Sequence, residues 1–188
     1  MSGERAPAIL TLEPLIEAVR EGVEEAGWEL SGLQKTTSHQ FEGRWKGEAT
    51  RSAYLFFHLA GTDEDDDACS VDVYLDETTQ GLTGNLALVV DLVDAGRLGG
   101  AEVVLGELGA LAARLMPPGY SVPVSLRLRL PGRGAAPASA ETEVRFKLRI
   151  PRRAIDGGRD EVRKLARTAI AAFERIREAP ELRRLVRG

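Results

Sequence analysis

The sequence predicts an α+β fold: a two-layer sandwich whose mainly antiparallel sheet of about six strands carries helices on one face. Three observations lead there. Apolar residues recur with period two in successive segments from Trp28 to Leu92 and again from Val122 to Ile150. Segments of helical period stand before, between and after these two runs. The connections inside each run are short, which makes consecutive strands antiparallel neighbours. The expected order is α-β-β-β-β-α-β-β-α, with one α+β domain over residues 1–178 and a short helical tail over 179–188. With 188 residues, 43% of them hydrophobic, the chain has material for one core.

The first helix follows from Leu12, Leu15, Ile16, Val19 and Val23 on one face, with Thr11 as N-cap, Pro14 in the first turn and Gly27 as the stop. Glu17, Glu21, Glu24 and Glu25 form its polar face, where Arg20 can pair with Glu17 or Glu24. A long half-buried strand is expected from Trp28 to Trp45, with Leu33, Thr37, His39, Phe41 and Trp45 on one side. Residues 46–50 read as a turn. Ala53–Leu59 is apolar on both faces and reads as a central strand, and 61–67 is an acidic loop. Cys69, Val71, Val73 and Leu75 alternate with Ser70, Asp72, Tyr74 and Asp76 in a half-exposed strand; a fourth follows at about Leu86–Leu92.

Ala101–Leu115 reads as a helix whose small residues Gly106, Gly109, Ala110 and Ala113 suit close packing on the sheet, and Pro117-Pro118-Gly119 ends it. Val122, Val124, Leu126, Leu128 and Leu130 form one face of a strand, and Thr142, Val144, Phe146, Leu148 and Ile150 the same face of its hairpin partner. The last long helix spans 159–177, and Pro180 opens a terminal segment with Leu182, Leu185 and Val186. This order of elements is similar to that of type III secretion chaperones and related small bacterial chaperone-like domains, with one further strand before the middle helix. The likeness covers most of the chain and is one of topology. It implies helices on one sheet face and a role in holding another protein. Leu12, Ile16, Val19, Arg20, Val23 and Ala26 also resemble the opening helix of bacterial trypsin-co-occurring domains, over fifteen positions.

The formal net charge of −4 conceals a division. Residues 1–120 hold 8 Lys/Arg against 21 Asp/Glu, a net of −13; residues 121–188 hold 17 against 8, a net of +9. In one compact domain this favours pairing between the two parts over a basic surface kept for a partner. No apolar run approaches the roughly 18–20 residues of a bilayer span. The opening Met1-Ser2-Gly3-Glu4-Arg5 has no cationic and then apolar region, and one cysteine, Cys69, permits no intrachain disulfide. A cytoplasmic location without membrane contact is the expectation.

Candidate chemistry is sparse. Asp63, Asp65 and Asp67 share the spacing of a calcium loop's first ligands, but Ala68 stands where that loop needs glycine and Tyr74 where it needs glutamate. His39 and His58, with Cys69 or an aspartate, could form a metal site or dyad; structural histidines are the simpler reading. Nucleophile-elbow, zinc-protease, paired-cysteine and phosphate-loop motifs are missing. No catalytic, metal or cofactor site is therefore assigned.

The surface singled out for binding is basic. Arg127 and Arg129 on one hairpin strand, and Arg145, Lys147 and Arg149 on the other, lie opposite the apolar face, and Arg152 and Arg153 follow. Glu141, Glu143, Asp72 and Asp76 are placed to neutralise part of this ladder. The hairpin's polar face has no aromatic residue, which argues against single-stranded nucleic acid. Arg152, Arg153 and Arg159 around Gly157-Gly158 form a second anion candidate, already countered by Asp156, Asp160 and Glu161. The resulting expectation is a non-catalytic adaptor or chaperone-like module that binds another protein or itself. Anion or nucleic-acid binding through the basic hairpin and last helix is the alternative, and an unrecognised hydrolase a third.

Overall fold

The computed structural model describes residues 7–38, 50–62, 68–92, 100–120, 123–129 and 141–186. In chain order its elements are α1 (Leu12–Glu24), β1 (Trp28–Ser38), β2 (Thr50–Leu59), β3 (Cys69–Thr78), β4 (Gly81–Leu92), α2 (Ala101–Leu115), β5 (Val124–Arg129), β6 (Glu141–Arg149), α3 (Arg152–Asp156), α4 (Arg159–Glu178) and α5 (Pro180–Arg183). The α+β class, the antiparallel sheet and the order of major elements agree with the sequence. The five-residue α3 is an addition: it is too short to leave a helical period of its own.

The six strands form one antiparallel sheet in the order β1-β2-β3-β4-β6-β5. The first four make a meander. The chain then crosses through α2 to the far edge as β5 and returns as β6 beside β4. Period-two alternation sends Leu55 and Phe57 of β2, Val71 and Leu75 of β3, Leu86 and Leu88 of β4, and Val144 and Phe146 of β6 to the helix side, where all are fully buried. Ile16, Val19 and Val23 of α1 and Val162, Ile170, Phe173 and Ile176 of α4 meet them in one core.

α1 and α4 lie against each other across most of the sequence. Gly22 permits this approach: a Cβ there would stand 2.5 Å from the carbonyl oxygen of Arg163 and 2.7 Å from Ala166 Cβ. Their polar faces join the two charge-divided parts of the chain. Arg159 reaches Glu17 at 3.0 Å and also pairs with Glu21, while Arg163 and Arg167 lie 3.8 and 3.5 Å from Glu25. Arg114 of α2 meets Glu181 of α5 at 2.6 Å, and Arg184 pairs with Glu107. The pairing expected from the charge division therefore exists, concentrated between helices.

Several local expectations change. α1 begins after Thr11, but the hydroxyl makes no capping bond; the Leu12 N–H donates to Glu77 Oε2 at 2.6 Å. A carboxylate delivered by β3 to the positive end of the helix displaces a neutral hydroxyl. The small residues of α2 do not pack on the sheet. Val104, Leu108, Leu111 and Ala112 are its buried residues, Gly106, Ala110 and Ala113 are exposed, and a Cβ at Gly106 or Gly109 would meet nothing within 4 Å.

The described part of β1 ends at Ser38, so His39, Phe41 and Trp45 lie outside the described residues, as does the acidic run 63–67. β1 is half-buried only at its start. From Leu33 to Thr37 this edge strand is exposed on both faces, beyond a register shift between Leu30 and Gly32. The C-terminal segment docks: Leu182 is fully buried and Val186 bridges Leu92. Among the described residues no helix is long and apolar enough to cross a membrane.

Candidate binding surface on the open sheet face

The helices cover one face of the sheet, and alternation decides what the other presents. β2 contributes Ser52, Tyr54, Phe56 and His58; β3 contributes Ser70, Asp72, Tyr74 and Asp76; β4 contributes Thr83, Asn85, Ala87 and Val89. β6 adds Glu143, Arg145, Lys147 and Arg149, and β5 adds Ser125 and Arg127. The strand apolar on both sides, β2, is interior as expected, yet the two aromatic residues of its open face are not buried: Tyr54 and Phe56 are 36% and 39% exposed.

Register sets the spacing. One row across the sheet reads Tyr54, Tyr74, Asn85, Arg149 and the next Phe56, Asp72, Ala87, Lys147. Aromatic groups on β2 and β3 thus share a face with the basic residues of β6, with β4 between them. The absence of aromatics noted for the hairpin holds for its own two strands and fails for the sheet that contains it. The Tyr54 and Tyr74 rings meet at 4.7 Å between centroids, inclined by 47°. Burial, then a hydrogen bond to the Asp76 carboxylate, push the Tyr74 phenol up to about 12. Ser52 Oγ also donates to Asp76 Oδ1, so this carboxylate is engaged from the β2 side.

Arg145 is taken up internally. Its Nη1 lies 3.3 Å from Asp72 Oδ2 and its Nε 2.6 Å from Glu143 Oε1. The Asp72–Arg145 pair crosses from β3 to β6 above β4, where the neighbouring side chains are small, and Ala87 and Val89 are only 2% and 7% exposed although they face away from the helices. Burial raises the Asp72 carboxyl above its usual range; Arg145 and the Ser70 hydroxyl oppose this and Glu143 adds to it. The ion pair closes one stretch of a trough along β4. The trough opens toward Asn85, where Tyr74, Asp76, Asn85, Pro123, Lys147 and Arg149 line a depression of about 350 Å³.

The basic residues singled out from the sequence therefore separate. Arg127, Arg145, Lys147 and Arg149 share the open face. For Arg129 only the backbone pairing with Glu141 is described. Arg152 is exposed, lies 3.9 Å from Asp156, and lines with Arg149 and Thr83 a second depression at the end of the sheet. Arg153 is exposed on the helix side of the molecule, with its guanidinium 5.8 Å from the centre of the Tyr120 ring. Arg159 is committed to Glu17 and Glu21. Among the described residues Lys147 and Arg149 are exposed and make no ion pair.

The histidine and cysteine do not converge. Cys69 is buried on the helix side of β3, whereas His58 stands on the open face of β2, with Nε2 3.5 Å from Glu29. Among the described residues no three His, Cys, Asp or Glu side chains are placed to hold a metal ion. What sequence reasoning missed is the conjunction of Tyr54, Phe56 and Tyr74 with Lys147 and Arg149. The double-sided apolarity of β2 was its only local signal.

The chain matches no protein-family model, and no curated protein or solved structure is significantly similar to it.

Proposed function

We propose that this protein is a non-catalytic interaction module, an adaptor or chaperone-like domain that holds another protein on its open sheet face. One observation carries the reading: Tyr54 and Phe56 stand exposed on β2, one strand in from the edge of a sheet face that no described helix covers. Phe56 keeps 39% of its surface in water, and covering that share of a side chain whose full burial is worth about 1.5–3 kcal/mol contributes about 0.6–1.2 kcal/mol. The surrounding mixture of Asp72, Asp76, Lys147 and Arg149 supplies a polar rim of both signs. The hydroxyl–carboxylate pair on this face, Ser52–Asp76, has Tyr74 beside it and not an imidazole, which supports a binding role over hydrolysis.

The test is affinity purification from native lysate with wild type and with a Tyr54→Ser/Phe56→Ser double variant, alongside sedimentation of both. The expected result is a protein partner, or a self-association constant, that the double variant loses while its circular dichroism shows it still folded at the assay temperature. Identical captured sets and identical sedimentation reject the reading.

A second reading, anion binding, is favoured by Lys147 and Arg149, which have no ion-pair partner among the described residues. Nucleic-acid affinity that falls steeply with salt and is lost in Lys147→Glu/Arg149→Glu supports it; salt-independent or absent binding rejects it.

A further inference from the structure

The following inference rests on the interaction-module reading and names the chemistry that the face selects. We infer that the trough along β4 receives a carboxylate side chain from a protein partner, held by Lys147 and Arg149, while an apolar residue four positions along the same extended segment sits on Tyr54 and Phe56. The carboxylate comes from charge. Lys147 and Arg149 wall the depression at Asn85, are exposed, and make no ion pair among the described residues. A guanidinium donates two parallel N–H bonds to a carboxylate, and the nearby Asn85 amide offers a neutral donor. Asp76 lines the same depression and takes hydrogen bonds from the neutral Ser52 and Tyr74 hydroxyls, so it offsets one of the two cations and leaves one positive charge for a ligand.

A polyanion fits less well. Its repeating charges would meet Asp72 and Glu143, which stand on the same face around Arg145, and Asp76 below them. A single carboxylate matches the one positive charge that Lys147 and Arg149 keep beyond Asp76. The partner's spacing comes from register. Tyr54 and Arg149 occupy one row, three strand intervals apart, as do Phe56 and Lys147. At about 4.8 Å per interval this is roughly 14 Å, which an extended chain rising about 3.3 Å per residue covers in about four residues. Four is even, so both side chains of such a segment point to the same side, toward the sheet. An odd spacing turns one of them away.

The probe is a synthetic acetylated and amidated peptide of serine and threonine in which one tryptophan precedes one glutamate by four positions, added to the full chain and followed by peptide anisotropy and by amide chemical shifts. The expected result is saturable binding that moves Gly84, Asn85 and Lys147. It should weaken about tenfold when the glutamate becomes glutamine or moves to an odd spacing, as for loss of a charge-assisted hydrogen bond. Lys147→Gln/Arg149→Gln should bring both peptides to the same weak affinity. Failure of the glutamate peptide to bind overturns the inference, as does equal binding of the glutamate and glutamine peptides, or tighter binding of inorganic phosphate or an oligothymidylate at the same residues. If the two peptides bind equally but Phe56→Ser weakens both, the carboxylate site falls and the interaction face stands. If Phe56→Ser also leaves every captured partner in place, the interaction face falls with it.

Discussion

Replacing glycine by alanine should have opposite effects on two helices of this protein. In an unobstructed helix interior the change stabilises by about 0.8–1 kcal/mol through backbone propensity alone. Gly106 of α2 meets that condition: it is exposed and an added Cβ has nothing within 4 Å. Gly22 of α1 does not. Its Cβ would lie 2.5 Å from the Arg163 carbonyl oxygen and 2.7 Å from Ala166 Cβ, short of an ordinary contact of about 3.5–4.0 Å by roughly 1 Å. Because the obstructing oxygen is helical backbone, no side-chain rotation relieves the clash, and α1 and α4 must separate. Overpacking of this kind costs about 1–3 kcal/mol, more than the propensity gain in most of that range, so Gly22→Ala should destabilise by up to about 2 kcal/mol net. For a chain of this length 1 kcal/mol corresponds to about 2–4 °C. Calorimetric melting should show Gly106→Ala raised by about 2–4 °C and Gly22→Ala lowered, by up to about 8 °C. Equal upward shifts in both would refute the packing of α1 on α4.

Four further outcomes follow from named contacts. Glu77→Gln weakens the carboxylate cap on the Leu12 N–H and should lose roughly 1 kcal/mol in urea titration, with helix fraying visible as faster amide exchange at the start of α1. Trp28 is 1% exposed and its indole donates to Glu174 Oε1 at 2.8 Å, so Trp28→Phe should cost about 1–3 kcal/mol by the same measurement. Asp72 has a folded pKa raised above its usual 3.8, so its stabilising contribution is fully present below that value and declines as pH rises through the folded pKa. The stability of wild type relative to Asp72→Asn should accordingly fall with rising pH across that window, and a rise would contradict the burial argument. Arg159→Ala removes exposed pairs to Glu17 and Glu21, so its melting temperature should drop slightly at low salt and match wild type in 1 M salt.

The major elements were legible because each writes its own period. β3 alternates strictly from Cys69 to Asp76, and α4 repeats Val162, Ala166, Ala169 and Phe173 on one side. Short elements and contacts between distant segments were not. α3 holds one turn, too little for a repeat, and the choice of Glu77 over Thr11 as cap depends on β3 lying beside α1. The binding surface shows the same division. Arg145, Lys147 and Arg149 were readable as one face of a strand, but which of them keeps its charge available depends on Asp72 reaching across β4 to Arg145. Tyr74 and Lys147 become neighbours of one depression only because α2 carries the chain past β4 and lets β6 return beside it. A strand apolar on both sides suggests two coverings; here one is the helix layer and the other face is open.

The contact between α1 and α4 also sets the order in which the chain can mature. Arg159 and Glu17 are 142 residues apart in sequence, so during synthesis the first helix emerges long before its partner exists. Ile16, Val19 and Val23 must wait, exposed or loosely held against the nascent meander, until the ribosome has released nearly everything through α4. Chains terminated before residue 159 should therefore collect as insoluble or chaperone-bound material, whereas chains that reach the end should close in a single late step with the slow kinetics of long-range pairing.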